Sequence, residues 1–125
     1  MALRQRAFTL IELLVVFAII ATLLSFVAPR YFRSVDRSKE AALQEMLVTF
    51  RSTLDKYHDD TGKYPNSLDD LVTAKYLRKI PVDPITGSDS TWVSVSPSDA
   101  KKGGIHDVKS GATGNSISGK PYTEF

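Results

Sequence analysis

A chain of 125 residues without cysteine has room for one modest folded domain, and it excludes disulfide staples and thiolate chemistry. Sixteen basic and 14 acidic residues leave a formal charge of +2, an excess equal to what Arg4 and Arg6 alone supply. Without those two the remainder is neutral, and no Lys/Arg run marks a phosphate-tracking face, so nucleic acid is excluded as a partner.

The chain opens with a short basic head, residues 1–7, and an apolar run from Phe8 to Ala28 that stops at Pro29. The run is about 21 residues long, close to the ~20 that a helix needs to cross a hydrocarbon core. A cleaved secretory signal would be shorter and would end in a small-x-small site, whereas this run ends in "FVAPR". As a buried helix it would overfill so small a core. A membrane-spanning helix is therefore expected. Its orientation is in conflict with charge alone, because Arg30, Arg33, Arg37 and Lys39 follow the run and outnumber the Arg4 and Arg6 that precede it. The positive-inside rule would put the C-terminal side in the cytoplasm.

Within the run stands Glu12, among Phe8, Leu10, Ile11, Leu13 and Leu14. A carboxylate at the centre of a spanning helix costs roughly 2.5–3.5 kcal/mol, and less near an end. Such a charge calls for a partner or a chemical role.

Past Pro29 the helical period resumes. Leu43, Leu47, Phe50, Leu54 and Tyr57 recur at alternating spacings of four and three, and charged residues fill the other faces. Thr61-Gly62 supplies a stop, so one helix is expected from about residue 9 to 60, ~78 Å at 1.5 Å per residue. Its second half needs a domain to cover the Leu43–Tyr57 stripe, since two heptads are short for a coiled coil. The segment "YPNSLDDLVTAKYL", residues 64–77, carries Ser67 and Asp70 in capping-box spacing and reads as a short second helix with Leu68, Leu71, Val72 and Leu77 on one side. "KIPVDPITG" reads as an ordered loop. Alternation predicts strands over residues 90–96 and 105–111, with a turn at 97–104 between them. "GATGNSISGK" is flexible by composition, and the aromatics of "PYTEF" are expected to dock on the sheet. The fold class is α+β: a long N-terminal helix packed on a small C-terminal domain with a short helix and a small antiparallel sheet.

Catalytic constellations are sparse. His58-Asp59-Asp60 falls at a helix end and His106-Asp107 in a strand, with no further ligands at zinc-like spacing. Ser96, Ser98 and Ser110 lie in turn-like contexts without a nucleophile motif. An enzyme is not expected.

The string "AFTLIELLVV", residues 7–16, resembles the processing site of type IV pilins and type II secretion pseudopilins. The resemblance implies a leader of residues 1–7 cut by a prepilin peptidase between Ala7 and Phe8, N-methylation of Phe8, and a Glu12 that pairs with the amino terminus of a neighbouring subunit. Pro29 matches the family's helix-kinking proline. Ala7 departs from the glycine usual before the cut, and being small it is expected to allow cleavage. The resemblance also implies that the leader is cytoplasmic and the C-terminal part lies outside the inner membrane, against the charge count. It divides the chain into a leader at 1–7, a transmembrane and polymerisation helix at 8–29 and a periplasmic pilin-like domain at 30–125.

The tail, "GKYPNSLDDLV", "YLRKIPVDPITG" and the closing "PYTEF", is similar to the major pseudopilin of type II secretion systems. That resemblance implies a helical homopolymer in the periplasm that drives protein export across the outer membrane. Its implied partners are the prepilin peptidase, minor pseudopilins, an inner-membrane assembly platform and, before assembly, membrane lipid. A subunit of a surface or DNA-uptake pilus is the alternative reading, and a membrane-anchored binding module that never polymerises is a third. Major pseudopilins also tend to bind calcium in an acidic C-terminal loop, but "SGATGNSISGKPY" has no carboxylate. Asp107 alone would not hold a cation that wants six to eight oxygens, and backbone carbonyls and Ser/Thr hydroxyls are the only local substitutes. No cofactor is therefore expected, with calcium near Asp107 the one alternative.

Overall fold

In a computed structural model that describes residues 6–98 and 103–125, the first element, α1, runs from Leu10 to Thr61 as one 52-residue helix. Pro29 ends the apolar run without ending the helix. Proline has no N–H to give the carbonyl four residues back and crowds it, which marks a kink position more than a stop. The helix ends where expected: Gly62 takes a φ of +75° and its N–H caps the His58 carbonyl at 2.7 Å. By internal contacts the chain divides into two compact units, Met1–Val35 and Asp36–Phe125.

In the second unit the stripe on α1 is the floor of the core. Leu43, Leu47, Phe50 and Leu54 are fully buried against Leu71, Trp92, Ile105 and Val108, with Tyr57 half-buried beside them. Phe50 meets Trp92 edge to face at 5.0 Å, and the Trp92 indole N–H finds the Pro81 carbonyl at 2.8 Å. A buried indole needs such a partner, and the loop 81–88 supplies it.

The second helix, α2, is Leu68–Thr73, shorter than the segment that suggested it. At its start the Asp70 carboxylate reaches back to the N–H groups of Asn66 (2.9 Å) and Ser67 (3.2 Å), as the spacing predicts. At its end Lys75 enters the left-handed region, with φ of 64°. That reversal lets the N–H groups of Tyr76 and Leu77 both return to the Leu71 carbonyl, and it points both side chains at the core.

The two strands are also shorter than expected: β1 is Val93–Val95 and β2 is Asp107–Lys109, antiparallel, with Ser94 opposite Val108. Alternation puts Ile105 and Val108 on opposite faces, yet both are buried. Ile105 lies outside the ladder, its N–H bonded to the Pro65 carbonyl at 2.8 Å, so the period of the strand does not govern it. The expected turn at 97–104 includes residues 99–102, which lie outside the described residues, as do residues 1–5 of the expected leader.

The expectation of a flexible 111–120 segment is overturned. Ala112 and Ser116 are buried, Asn115 bridges Pro121, and the Ser116 N–H is bonded to the Lys120 carbonyl at 2.8 Å. Glycine and serine content misleads here because bonds from a distant neighbour, Glu40, and between the segment's own Ser116 and Ser118 hydroxyls order it. The closing residues then form a 3-10 turn, Tyr122–Glu124, set against β2 of the sheet as expected, and its Tyr122 and the following Phe125 pack on the core.

Candidate functional site

The residues singled out by the processing motif come together at the start of α1. Arg6, Ala7, Phe8 and Glu12 line one open depression, and Phe8 is 86% exposed. Thr9 stands just before the first helical residue. Its N–H donates to a Glu12 carboxylate oxygen at 3.0 Å, while the Glu12 N–H donates to the Thr9 hydroxyl at 3.2 Å. This is a complete reciprocal capping box, which satisfies two of the N–H groups that a helix start leaves without a partner. A carboxylate in the first turn also faces the positive end of the helix dipole. Part of what makes Glu12 tolerable in an apolar run is thus supplied by its own chain.

The same economy extends along the run. Between Leu10 and Ala28 the other polar side chains are Thr22 and Ser25, and each hydroxyl donates back to the carbonyl four residues earlier, Ala18 and Ala21, at 2.8 Å. In hydrocarbon every polar group must be satisfied internally. α1 includes a stretch long and apolar enough to cross a membrane, with none of it buried. Pro29 stands seventeen residues beyond Glu12, about 26 Å along the helix at 1.5 Å per residue, and so takes no part in the N-terminal depression.

The remaining candidates are structural in their contacts. The His58 ring stacks on Tyr64 at 4.3 Å, and Asp60 accepts the Tyr76 hydroxyl at 2.7 Å, a bond that raises the pKa of that phenol. His106 Nδ1 lies 3.0 Å from the Val95 carbonyl oxygen. Asp107 is ion-paired to Arg51 at 2.8 Å and accepts the Val108 N–H. No group of three or more His, Cys, Asp or Glu side chains that would hold a metal occurs among the described residues. With Asp107 committed to a guanidinium, the residues around it do not fit calcium.

Ser96 and Ser98 are exposed, whereas Ser110 is buried and donates to the equally buried Asp83 at 2.5 Å. Asp83 is the residue that reading the sequence missed. Its other oxygen accepts the N–H groups of Ile85 and Thr86, so one carboxylate folds the 81–88 loop and ties it to the segment after β2. The Asp-Pro pair followed by glycine was the signal available, since Asp commonly bonds its own backbone two residues on.

Residues 3–28 match the family model for the prokaryotic N-terminal methylation motif. The chain is 33% identical over 107 residues to the type II secretion system core protein G of Klebsiella pneumoniae, covering 73% of this chain and 76% of the relative. It is 31% identical over 126 residues to the protein of that name from Vibrio cholerae, covering 89% and 83%. The chain belongs to the type II secretion system core protein G family. The Escherichia coli K12 member is similar at 31% over 110 residues. No solved structure matches. Membership makes this chain a G-type pseudopilin, and its α+β architecture is pilin-like.

Proposed function

We propose that this chain is the repeating subunit of a type II secretion pseudopilus, a filament that grows in the periplasm and drives protein export across the outer membrane. The observation that carries the reading is an apolar half-helix, exposed all round and with its polar groups satisfied internally, in a member of the core protein G family. Such a surface has two suitable environments, lipid before assembly and the equivalent helices of other subunits afterwards. No substrate chemistry is required of it, and the role is structural. The surface-pilus alternative is not favoured by the relatives, which carry the secretion-system name.

The subunit is anchored once in the inner membrane with residues 30–125 in the periplasm. Prepilin peptidase cuts between Ala7 and Phe8, and Phe8 is then N-methylated. Cleavage places a positive amino group one residue before Thr9. The Glu12 carboxylate is held in place by the Thr9 N–H, yet a carboxylate has about four acceptor sites, so the cap leaves capacity for the amino terminus of a neighbouring subunit. In a low-dielectric helix bundle that charge-assisted contact is far stronger than in water. Minor pseudopilins and the inner-membrane assembly platform are the other partners of the filament.

The discriminating experiment is deletion of the gene in its native host, with the secreted and periplasmic proteins compared. Exported enzymes should accumulate in the periplasm and be released again when the wild-type chain is restored. Normal secretion accompanied by loss of surface fibres would favour the pilus reading instead. Intact mass of the native protein should show a chain that begins at Phe8 and carries one methyl group.

A further inference from the structure

The segment "SGATGNSISGKP", residues 110–121, has no carboxylate and one cation, Lys120. It nevertheless folds as a hook: the Tyr122 N–H returns to the Gly114 carbonyl, and the Gly119 N–H to that of Ser116. Two side chains of α1 fasten it. Glu40 accepts the main-chain N–H of Ile117 at 2.8 Å and lies 3.3 Å from the donating Tyr122 hydroxyl. Arg51 donates from Nη2 to the main-chain oxygen of Phe125 and from Nε to Asp107, both at 2.8 Å. At 3.6 residues per turn, eleven residues bring the helix back to within about 20° of the same face, ~16 Å further along. Glu40 therefore holds the middle of the hook and Arg51 the segments that flank it, from the face that also carries the core stripe.

A divalent cation fastens a loop by drawing oxygens together, and the loop must supply several carboxylates among them. Here the roles are reversed. The hook and the closing turn after it offer an N–H, a hydroxyl and a main-chain oxygen, and the helix brings a carboxylate and a guanidinium to meet them. Bonds of this charge-assisted kind are roughly twice as strong as neutral ones. A cation taking Glu40 or Asp107 as a ligand would have to displace an N–H and an O–H from the first or a guanidinium from the second. We propose that Glu40 and Arg51 fasten the C-terminal hook in place of a metal ion, so that this chain folds independently of calcium. The inference concerns the fold and stands whichever filament the subunit builds.

The test uses the full chain in detergent, with calcium chloride or a chelator added and with Glu40→Ala and Arg51→Ala beside the wild type. Thermal unfolding of the wild type should have the same midpoint in calcium and in chelator to within about 1 °C, because a ligand that binds only the folded state would raise it. Glu40→Ala should speed amide exchange at Ile117 by about tenfold or more, while the Leu47 and Phe50 amides keep their protection and show that the core is intact. Arg51→Ala should loosen the Phe125 end and leave Ile117 protected. A midpoint that rises saturably with calcium would overturn the proposal. So would wild-type protection of Ile117 in the Glu40→Ala chain.

Discussion

Two stretches of one helix carry large apolar side chains and have opposite fates. From Leu10 to Phe32 the large hydrophobic side chains are each at least 45% exposed, whereas Leu43, Leu47, Phe50 and Leu54 are at most 1% exposed. The difference lies in both the number and the arrangement of the apolar residues. The first stretch is apolar all round, so no single domain packed on one side would cover it, and it needs a medium or neighbours on every side. The second confines its apolar residues to one stripe, which a small domain covers completely. One helix thus serves two solvents, and each half fails in its own way when changed.

The most damaging change to the self-contained half is Phe50→Ala. It empties a fully buried ring site against Trp92 and should cost about 3–5 kcal/mol in denaturant unfolding of residues 36–125. A cost below about 1 kcal/mol would mean that the stripe is not the floor of an independent core. Asp83→Ala comes next. It leaves the buried Ser110 hydroxyl and the N–H groups of Ile85 and Thr86, donors in partly buried bonds, without their acceptor, and about 2–3 kcal/mol is expected by the same measurement.

Gly111→Ala should cost about 1–3 kcal/mol as an overpacking change, because an added methyl would lie 2.0 Å from the Thr91 main-chain oxygen. At the bottom of the scale is Val48→Ser. This residue is on the same helix and one position from the stripe but 62% exposed, and its change should stay within about 0.5 kcal/mol. A larger loss at Val48 than at Phe50 would reverse the assignment of faces.

The fold was legible where one residue type dictates one outcome. The stripe at spacings of four and three, the Gly62 stop and the Asp70 arm of the cap all stand where the sequence places them. What escaped is what depends on partners distant in the chain. Asp83 looks like an ordinary loop residue until Ser110, twenty-seven positions away, is brought against it. The 111–120 segment looks loose until Glu40, seventy-seven positions from Ile117, takes its N–H. At the N-terminal site the motif residues were readable, and Glu12 drew attention as a misplaced charge. Its reciprocal bonds with Thr9 were readable too, because threonine followed three residues later by glutamate is a capping pattern, but the surrounding apolar run drew the eye to membrane cost instead.

The measurement that bears most directly on the division of α1 is sheared-filament yield from a Glu12→Gln chain, with membrane abundance and N-terminal processing followed alongside. Glutamine also serves at this position of a capping box, so the helix start should survive while the charge is lost. The account predicts normal insertion and cleavage with filament yield reduced to a small fraction of wild type. Glu12→Leu, which removes the cap as well, should assemble no better. Wild-type filament yield from the Gln chain would contradict the account, because the charge at Glu12 would then serve nothing beyond the chain's own helix.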